Sequence, residues 1–164
     1  MKHLALSLAV VSAVVAIGIG SANARPAAVQ PETFKLIEHD GPFSFVDLPP
    51  VQNGTDRTVS PGDVLVLTNP LRRPDAAETG TLHAVCTVVD ARTSLDTAIF
   101  HCTGSYGLQR GTLALSTTGP VASAPTLRLA ITGGTGAYAG ARGTVISRRQ
   151  AEPGIRADTV RLVR

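Results

Sequence analysis

The chain has 164 residues, with 15 Lys and Arg against 12 Asp and Glu, which gives a formal net charge of +3. The basic residues are scattered along the sequence and only four Phe and two Tyr accompany them. Nucleic-acid binding needs a clustered basic stripe with interleaved aromatic residues, so we expect no nucleic acid partner. The length is that of one domain.

The first 24 residues have the pattern of an export signal. A basic start at residues 1–3 precedes an apolar run at residues 4–20, and Ala22 and Ala24 are the small residues that signal peptidase reads. This pattern predicts a secretory signal peptide cleaved after Ala24. The alternative is a membrane anchor, but the run is at the short end for a bilayer span and no second such run follows. The predicted divisions are residues 1–24 as signal peptide, 25–32 as an N-terminal extension and 33–164 as the folded domain of a secreted protein.

Apolar and polar residues alternate through most of the remaining chain, as at Leu127, Leu129 and Ile131, and no window shows a helical stripe. Turn-forming pairs such as Asn69-Pro70 and Gly119-Pro120 separate the apolar runs. The short connections favour antiparallel neighbours, and closing such a sheet into a barrel removes its edges. We predict about eight strands, at residues 34–47 (interrupted near 40–41), 63–68, 80–90, 96–106, 112–117, 126–131, 142–149 and 155–164.

Cys86 and Cys102 are the only cysteines. An even number in an exported protein indicates a disulfide, and no neighbouring His or Cys has the spacing of a zinc site. With these two residues opposite each other, Val88 faces Phe100, Ala84 faces Gly104 and Asp90 faces Ala98 on one side of the ribbon. That side is mainly apolar.

The other side of the same ribbon is mixed and carries two histidines. There, His83 faces Ser105 and His101 faces Thr87. The histidines are about four residues apart at about 3.4 Å per residue, which is too far for one metal ion. We therefore predict no metal site, and we expect His83 and His101 to be hydrogen-bonded or to face a pocket as ligand-binding residues.

The stretch GGTGAYAGARG at residues 133–143 holds five glycines. Gly134, Gly136 and Gly140 have a spacing similar to that of a dinucleotide loop, but such a loop needs a full helix after it. Here another predicted strand starts a few residues later, and the Gly-Lys-Ser/Thr end of a P-loop is missing. The pattern therefore predicts a tight corner with one helical turn at residues 135–139.

The run ITGGTGAYAGARGTV at residues 131–145 resembles the hairpin signature of the dirigent and allene oxide cyclase-like barrel superfamily. Further segments match in order: a Phe-containing first strand that ends at Asp47, the Ser60–Asp63 turn before an apolar strand, and residues 102–111, which resemble bacterial members. The resemblance covers residues 34–164. It implies an all-β fold, an eight-stranded antiparallel β-barrel with an apolar ligand cavity, commonly trimeric in plant relatives, and working without metal or organic cofactor.

Members of this superfamily hold reactive small molecules. Plant cyclases close the ring of a fatty-acid epoxide, and dirigent proteins orient phenoxy radicals or quinone methides. The resemblance therefore implies a small apolar ligand in the lumen and a cyclase-like or isomerase-like role by confinement. The alternative is a secreted barrel that binds a ligand or partner without chemistry. Ionisable groups facing the cavity would favour the first.

The resemblance also suggests site residues. Arg142 matches the arginine of the motif, and Asp47 is the nearest match to an acidic group near the first strand, with Glu38 and Asp40 as alternatives. Arg142 and Asp47 are therefore the predicted catalytic pair. Tyr138 is a predicted ligand contact, with a plug at the barrel end as the alternative. The pattern does not show which face of each strand lines the lumen.

Overall fold

The computed structural model describes residues 31–49, 58–75, 79–92 and 94–163. The predicted signal peptide at residues 1–24 lies outside this range, as does most of the predicted extension. The first strand begins at Glu32, one residue before the predicted start of the domain. Within the described ranges, no helix has the length and hydrophobicity needed to cross a bilayer.

The described residues form nine β-strands and one turn of 3₁₀-helix, so the all-β prediction is confirmed. The strands are β1 (Glu32–His39), β2 (Phe43–Val46), β3 (Val64–Arg72), β4 (Thr79–Asp90), β5 (Ile99–Leu108), β6 (Gly111–Gly119), β7 (Thr126–Gly134), β8 (Arg142–Arg149) and β9 (Ile155–Val163), with the 3₁₀ turn at Gly136–Tyr138.

The sheet closes into an antiparallel barrel. Each strand from β3 to β9 pairs with the next along the chain, and β1 pairs with β9 along its length. The end of β1 also pairs with the end of β3, where Ile37 faces Arg72, while β2 pairs with the beginning of β3. Strands β1 and β2 are thus two halves of one interrupted strand, and the barrel has eight strands as predicted.

The interruption lies where the sequence pattern placed it, near residues 40–41. A side chain at Gly41 would overlap the carbonyl oxygen of Thr68, so only glycine fits this close approach. The Gly41 N–H donates to Asn69 Oδ1 at 3.0 Å. This contact anchors the bend to β3.

Strand β3 differs from its prediction at its C-terminal end. Asn69-Pro70 was predicted to form a turn, yet both residues continue the strand. Pro70 has no N–H and cannot donate a backbone hydrogen bond to a second neighbouring strand. No such bond is needed here, because β1 begins to pair with β3 only at Leu71. The proline is therefore tolerated, and Asn69 stays inside the barrel wall.

The predicted disulfide joins Cys86 and Cys102. The predicted register between β4 and β5 is confirmed for the cysteines and for Val88 with Phe100. Beyond Val88 a bulge shifts the pairing, so that Asp90 faces Ile99 rather than Ala98. A bulge adds a residue on one strand, which a fixed register cannot anticipate.

The glycine-rich stretch forms the predicted corner. The chain leaves β7 at Gly134, makes one 3₁₀ turn and enters β8 at Arg142. Side chains at Gly134 and Gly143 would overlap the carbonyl oxygens of Tyr138 and Arg161 respectively. These glycines therefore serve close backbone packing at the closed end of the barrel.

The barrel interior is filled at the end that holds this corner. Tyr138 is fully buried there, with its ring centroid 6.3 Å from that of Phe34. Leu36, Val145, Val160 and other aliphatic side chains complete this cluster. A second cluster surrounds the disulfide and Phe100 towards the other end. The space between the clusters is not filled.

Candidate functional site

An internal cavity of about 250 Å³ lies between the two clusters. Asp40 and Arg149, which are exposed lining residues, lie at the end of the barrel that holds the β8–β9 turn, and we infer that the cavity has its mouth there. Most of its wall is aliphatic or small, and Tyr106 is the one aromatic side chain among the residues that line it. The apolar lining comprises Leu65, Leu67, Leu82, Ala84, Leu115, Val121, Ala122, Leu127, Leu129, Ile155 and the two cysteines.

Several polar side chains interrupt this apolar wall and meet in one group. They come from five strands: Glu38 on β1, Asn69 on β3, Tyr106 on β5, Ser147 on β8, and Arg156 and Asp158 on β9. All but Asp158, which lies behind them, line the cavity. Residues far apart in sequence therefore form one cluster, here called the polar cluster.

Glu38 is held by a hydrogen bond of 2.7 Å from Asn69 Nδ2 to its Oε1. The orientation of the Asn69 amide is determined, because its oxygen accepts from the Gly41 N–H. Glu38 itself is buried, in phase with Phe34 and Leu36 on the inner face of β1. The carboxyl group therefore has a defined position at the cavity wall.

Tyr106 and Asp158 form a second buried pair, in which the Tyr106 hydroxyl donates to Asp158 Oδ2 at 2.6 Å. Burial raises the pKa of Asp158, and the hydrogen bond from Tyr106 partly offsets this. Burial and then the charge of Asp158 raise the pKa of Tyr106 well above its usual value. Tyr106 therefore stays a neutral hydroxyl that supports the carboxylate.

Arg156 supplies the cation of the cluster and faces Glu38 directly across the β1–β9 pair. Its Nε donates to Ser147 Oγ at 2.8 Å and its Nη2 to the Ser147 carbonyl at 3.2 Å. Burial lowers the pKa of Arg156, and the negative charge of Glu38 opposes that shift. An arginine nevertheless remains protonated at ordinary pH.

The environment of Glu38 shifts the pKa of its carboxyl group towards neutral pH. Burial is the largest cause and the charge of Asp158 the next, and together they raise the pKa of Glu38 from 4.5 to about 7. The hydrogen bond from Asn69 and the charge of Arg156 act in the opposite direction. A carboxyl group with this pKa at a cavity wall can both deliver and accept a proton at neutral pH.

The predicted catalytic pair lies away from this cavity. Arg142 is exposed on β8, where its Nη1 donates to the neighbouring Ala141 carbonyl at 2.9 Å. Asp47 follows β2 and is not among the lining residues. Of the three acidic residues considered near the first strand, Glu38 and Asp40 line the cavity. The acidic residues at the cavity are therefore the two that the sequence analysis gave as alternatives to Asp47.

The predicted ligand-binding residues also lie elsewhere. Tyr138 sits in the filled end of the barrel, in the position that the plug alternative described. His83 and His101 are exposed on the outer face, and His101 Nδ1 lies 2.9 Å from Thr118 Oγ1. In the described residues no three His, Cys, Asp or Glu side chains are grouped as metal ligands. Roles for these residues at a ligand remain predictions.

Sequence reasoning missed Asn69, Tyr106, Ser147, Arg156 and Asp158. A signal for part of the cluster was present, because Asp158 and Arg156 continue the inner phase of Val160 and Leu162 along β9. Glu38 continues the phase of Phe34 and Leu36 in the same way. A charged residue in phase with buried apolar residues predicts an ionisable group that faces the interior.

The comparison with protein families matches residues 50–161 to the family described as allene oxide cyclase barrel like domain. No curated protein matches the sequence.

Solved structures with the same fold include a pyocyanin demethylase, which is 21% identical with a TM-score of 0.64, over 80% of this chain and 99% of the other. A pterocarpan synthase dirigent protein is 18% identical with a TM-score of 0.60, over 82% and 89%. The exo-specific intermolecular Diels-Alderase AbnU is 11% identical with a TM-score of 0.61, over 84% and 99%. At these identities the likeness establishes the barrel fold alone.

Proposed function

Because this chain belongs to the allene oxide cyclase-like barrel family, we propose that it binds a small, largely apolar molecule in its cavity and guides the cyclisation or isomerisation of that molecule. The observation that carries this proposal is Glu38, a buried carboxyl group with a pKa of about 7 at the wall of an otherwise apolar cavity. The similar structures named as a dirigent protein and a Diels-Alderase support a ring-forming or coupling role.

The cavity wall favours a compact ligand. Its volume of about 250 Å³ is slightly below the range of about 300–1,000 Å³ that is usual for small-molecule sites. Leu, Val and Ala side chains exclude water and hold a flexible molecule in few conformations, which lowers the entropic part of a reaction barrier. The ligand needs one oxygen-containing group that can reach the polar cluster, such as an epoxide or an enone carbonyl.

The polar cluster provides the chemistry in this proposal. Protonated Glu38 donates its proton to the ligand oxygen as charge develops there, and the Arg156 guanidinium stabilises that negative charge. When a carbon of the product loses a proton, the Glu38 carboxylate accepts it, so the reaction has no net proton change. A positioned acid and base of this kind contributes about a hundred- to ten-thousandfold in rate.

The alternative function is ligand binding without chemistry, for which an aliphatic wall would suffice. The ionisable Glu38 and Arg156 at the cavity support the catalytic proposal instead, since burying a carboxyl group and a guanidinium in a mere binding site costs free energy. We also propose that the protein is exported, on the basis of the leader at residues 1–24 and the paired cysteines.

Binding is tested by titrating the mature protein with the neutral fluorescent probe N-phenyl-1-naphthylamine. Ala84→Trp places an indole in the cavity, whereas Ala130→Trp adds the same group on the exposed face of β7. We expect Ala84→Trp to abolish probe binding and Ala130→Trp to leave it unchanged. Equal binding by both variants would show that the probe, and by extension a ligand, does not occupy the lumen.

Chemistry is tested on the molecule that co-purifies with the protein from its native culture, identified by mass spectrometry of an organic extract. Incubation of its precursor or isomer with wild-type protein and with Glu38→Gln compares their conversion rates. We expect a loss of at least about a hundredfold in Glu38→Gln with binding retained. Binding by both proteins without conversion by either would support the non-catalytic alternative.

A further inference from the structure

The basic residues that are scattered in the sequence lie on the outer wall of four adjacent barrel strands. Lys35 on β1, Arg128 on β7, Arg148 on β8 and Arg161 on β9 are all exposed, on the sides of these strands that face away from the cavity. These four residues define the basic face. Arg142, also exposed on β8, extends the face towards the closed end.

The strand register shows how the cations are spread. Arg128 faces Ile146, which faces Thr159, which in turn faces Lys35, so one row across four strands has a cation at each end. At about 4.8 Å between strands these ends are about 14 Å apart along the curved sheet. Arg148 and Arg161 lie in the flanking rows, opposite Thr126 and Thr144 respectively. The array therefore extends in two dimensions.

No described carboxylate neutralises the basic face. The outward positions of β1, β7, β8 and β9 hold no Asp or Glu, and none of the four cations makes an ion pair with a described residue. Glu38 and Asp158 are on the inner side of the same strands, and Asp63 is buried. The chain therefore has a small net charge, although this part of its surface carries positive charges without negative ones.

We propose that the basic face docks the barrel on an anionic lipid membrane surface. Many separate phosphate headgroups can meet cations on several adjacent strands of a curved wall at once, whereas a single polyanionic chain would need a continuous track. Arginine, which forms most of the face, binds phosphate oxygens in a bidentate manner. Aromatic residues do not interleave with the cations on these outward positions, so the face lacks the stacking platform that nucleic acid binding uses.

A second copy of the chain is a poor occupant of this face, because cations would meet cations in a symmetric contact. The outward positions of β5 and β6 carry no formal charge, with residues such as Ser105, Thr112 and Ala114, and suit such a contact better. The two sides of the barrel therefore fit different partners.

The docking also fits the position of the cavity mouth. Arg149 lines the mouth and follows Arg148 of the basic face in sequence. A barrel lying on a membrane by this face would have its mouth beside the lipid, where an apolar molecule concentrates. This last link rests on the proposed function, whereas the charge argument for docking does not.

The test measures sedimentation of the mature protein with vesicles of phosphatidylcholine alone or with about 30% phosphatidylglycerol. Arg128→Gln/Arg161→Gln removes two charges from the face, and Arg92→Gln/Arg110→Gln removes two exposed charges from turns elsewhere. We expect wild-type protein to bind only the anionic vesicles and to be released at about 0.5 M salt. The face variant should bind about twenty-fivefold more weakly, at about fivefold per cation, and the control variant less than about threefold more weakly.

Three results would overturn the docking proposal. The first is an equal loss in the two double variants, which would show that net charge and not this face matters. The second is binding to phosphatidylcholine alone. The third is binding of an acidic polysaccharide or DNA without binding of anionic vesicles. Circular dichroism of each variant checks folding, and the salt dependence of the wild-type protein tests the proposal without any substitution.

Discussion

Asn69 and Glu38 are joined by a hydrogen bond of 2.7 Å between side chains that lie 31 residues apart in the sequence. Asn69 also accepts the Gly41 N–H at 3.0 Å, at the bend that separates β1 from β2. One side chain therefore holds both the acid at the cavity and the interruption of the first barrel strand. Asn69 therefore contributes both to the fold and to the proposed chemistry.

Replacing Asn69 by Ala tests this link. The variant removes a donor that lowers the pKa of Glu38, so that pKa should rise above about 7. It also leaves the Gly41 N–H without its acceptor, which should lower the free energy of unfolding by about 1–3 kcal/mol. Carbon-13 NMR titration of Glu38 and urea unfolding measure the two effects. An unchanged titration midpoint would show that the hydrogen bond does not set the protonation of Glu38.

Glu38 should make stability depend on pH in a defined window. The folded-state pKa of about 7 lies above the ordinary glutamate value of 4.5, so the folded protein binds more protons between these pH values than the unfolded chain. Stability is therefore highest at low pH within this window and falls as the pH rises through it, by roughly 3 kcal/mol, then levels above about pH 7.

Urea unfolding of wild-type protein and of Glu38→Gln between pH 4.5 and 8 measures this dependence. The variant should lose the part of the fall that Glu38 contributes, because its side chain does not titrate, whereas Asp158, whose pKa burial also raises, keeps its own part. Glu152→Gln, at an exposed position in the β8–β9 turn, is the matched control and should behave as wild type. Parallel curves for wild type and Glu38→Gln would exclude the raised pKa.

The disulfide between Cys86 and Cys102 should stabilise the barrel as a cross-link between β4 and β5. With 15 residues between the cysteines, the chain-entropy argument gives roughly 3 kcal/mol. Cys86→Ala/Cys102→Ala should lose about this much in urea unfolding. Reductant should destabilise the wild-type protein and have no effect on the double variant, and an effect on both would point to another cause.

The glycine corner offers a matched pair of substitutions. At Gly143, φ is +143° and a Cβ would overlap the Arg161 carbonyl oxygen, so Gly143→Ala should destabilise by about 2 kcal/mol or more. At Gly133 the nearest atom to an added Cβ is Arg142 Nη1 at 3.8 Å, so Gly133→Ala should cost less than about 1 kcal/mol. Thermal unfolding compares them, and equal losses would contradict the steric explanation.

Local patterns in the sequence determined the strands, their antiparallel order, the interruption after β1, the disulfide and the glycine corner. The physical reason is that these features depend on neighbouring residues. A period of two, turn-forming Gly and Pro residues, and a covalent link that places Cys86 opposite Cys102 each act over short distances. The predictions were wrong where the pairing with neighbouring strands decided the local structure, as at Asn69-Pro70 and at the bulge beyond Val88.

Only the tertiary structure decided the site and the charged surface. Asp47 and Glu38 both belong to one predicted strand, and the family resemblance favoured Asp47 with Glu38 as an alternative. Closure of the barrel put Glu38 at the cavity and Asp47 outside its lining. Asn69, Tyr106 and Arg156 meet Glu38 because strands distant in sequence share one lumen. The same closure gathers scattered arginines on one outer wall. Burial, charge separation and the pKa of Glu38 all depend on which face of a strand points inward, and that depends on the closed sheet as a whole.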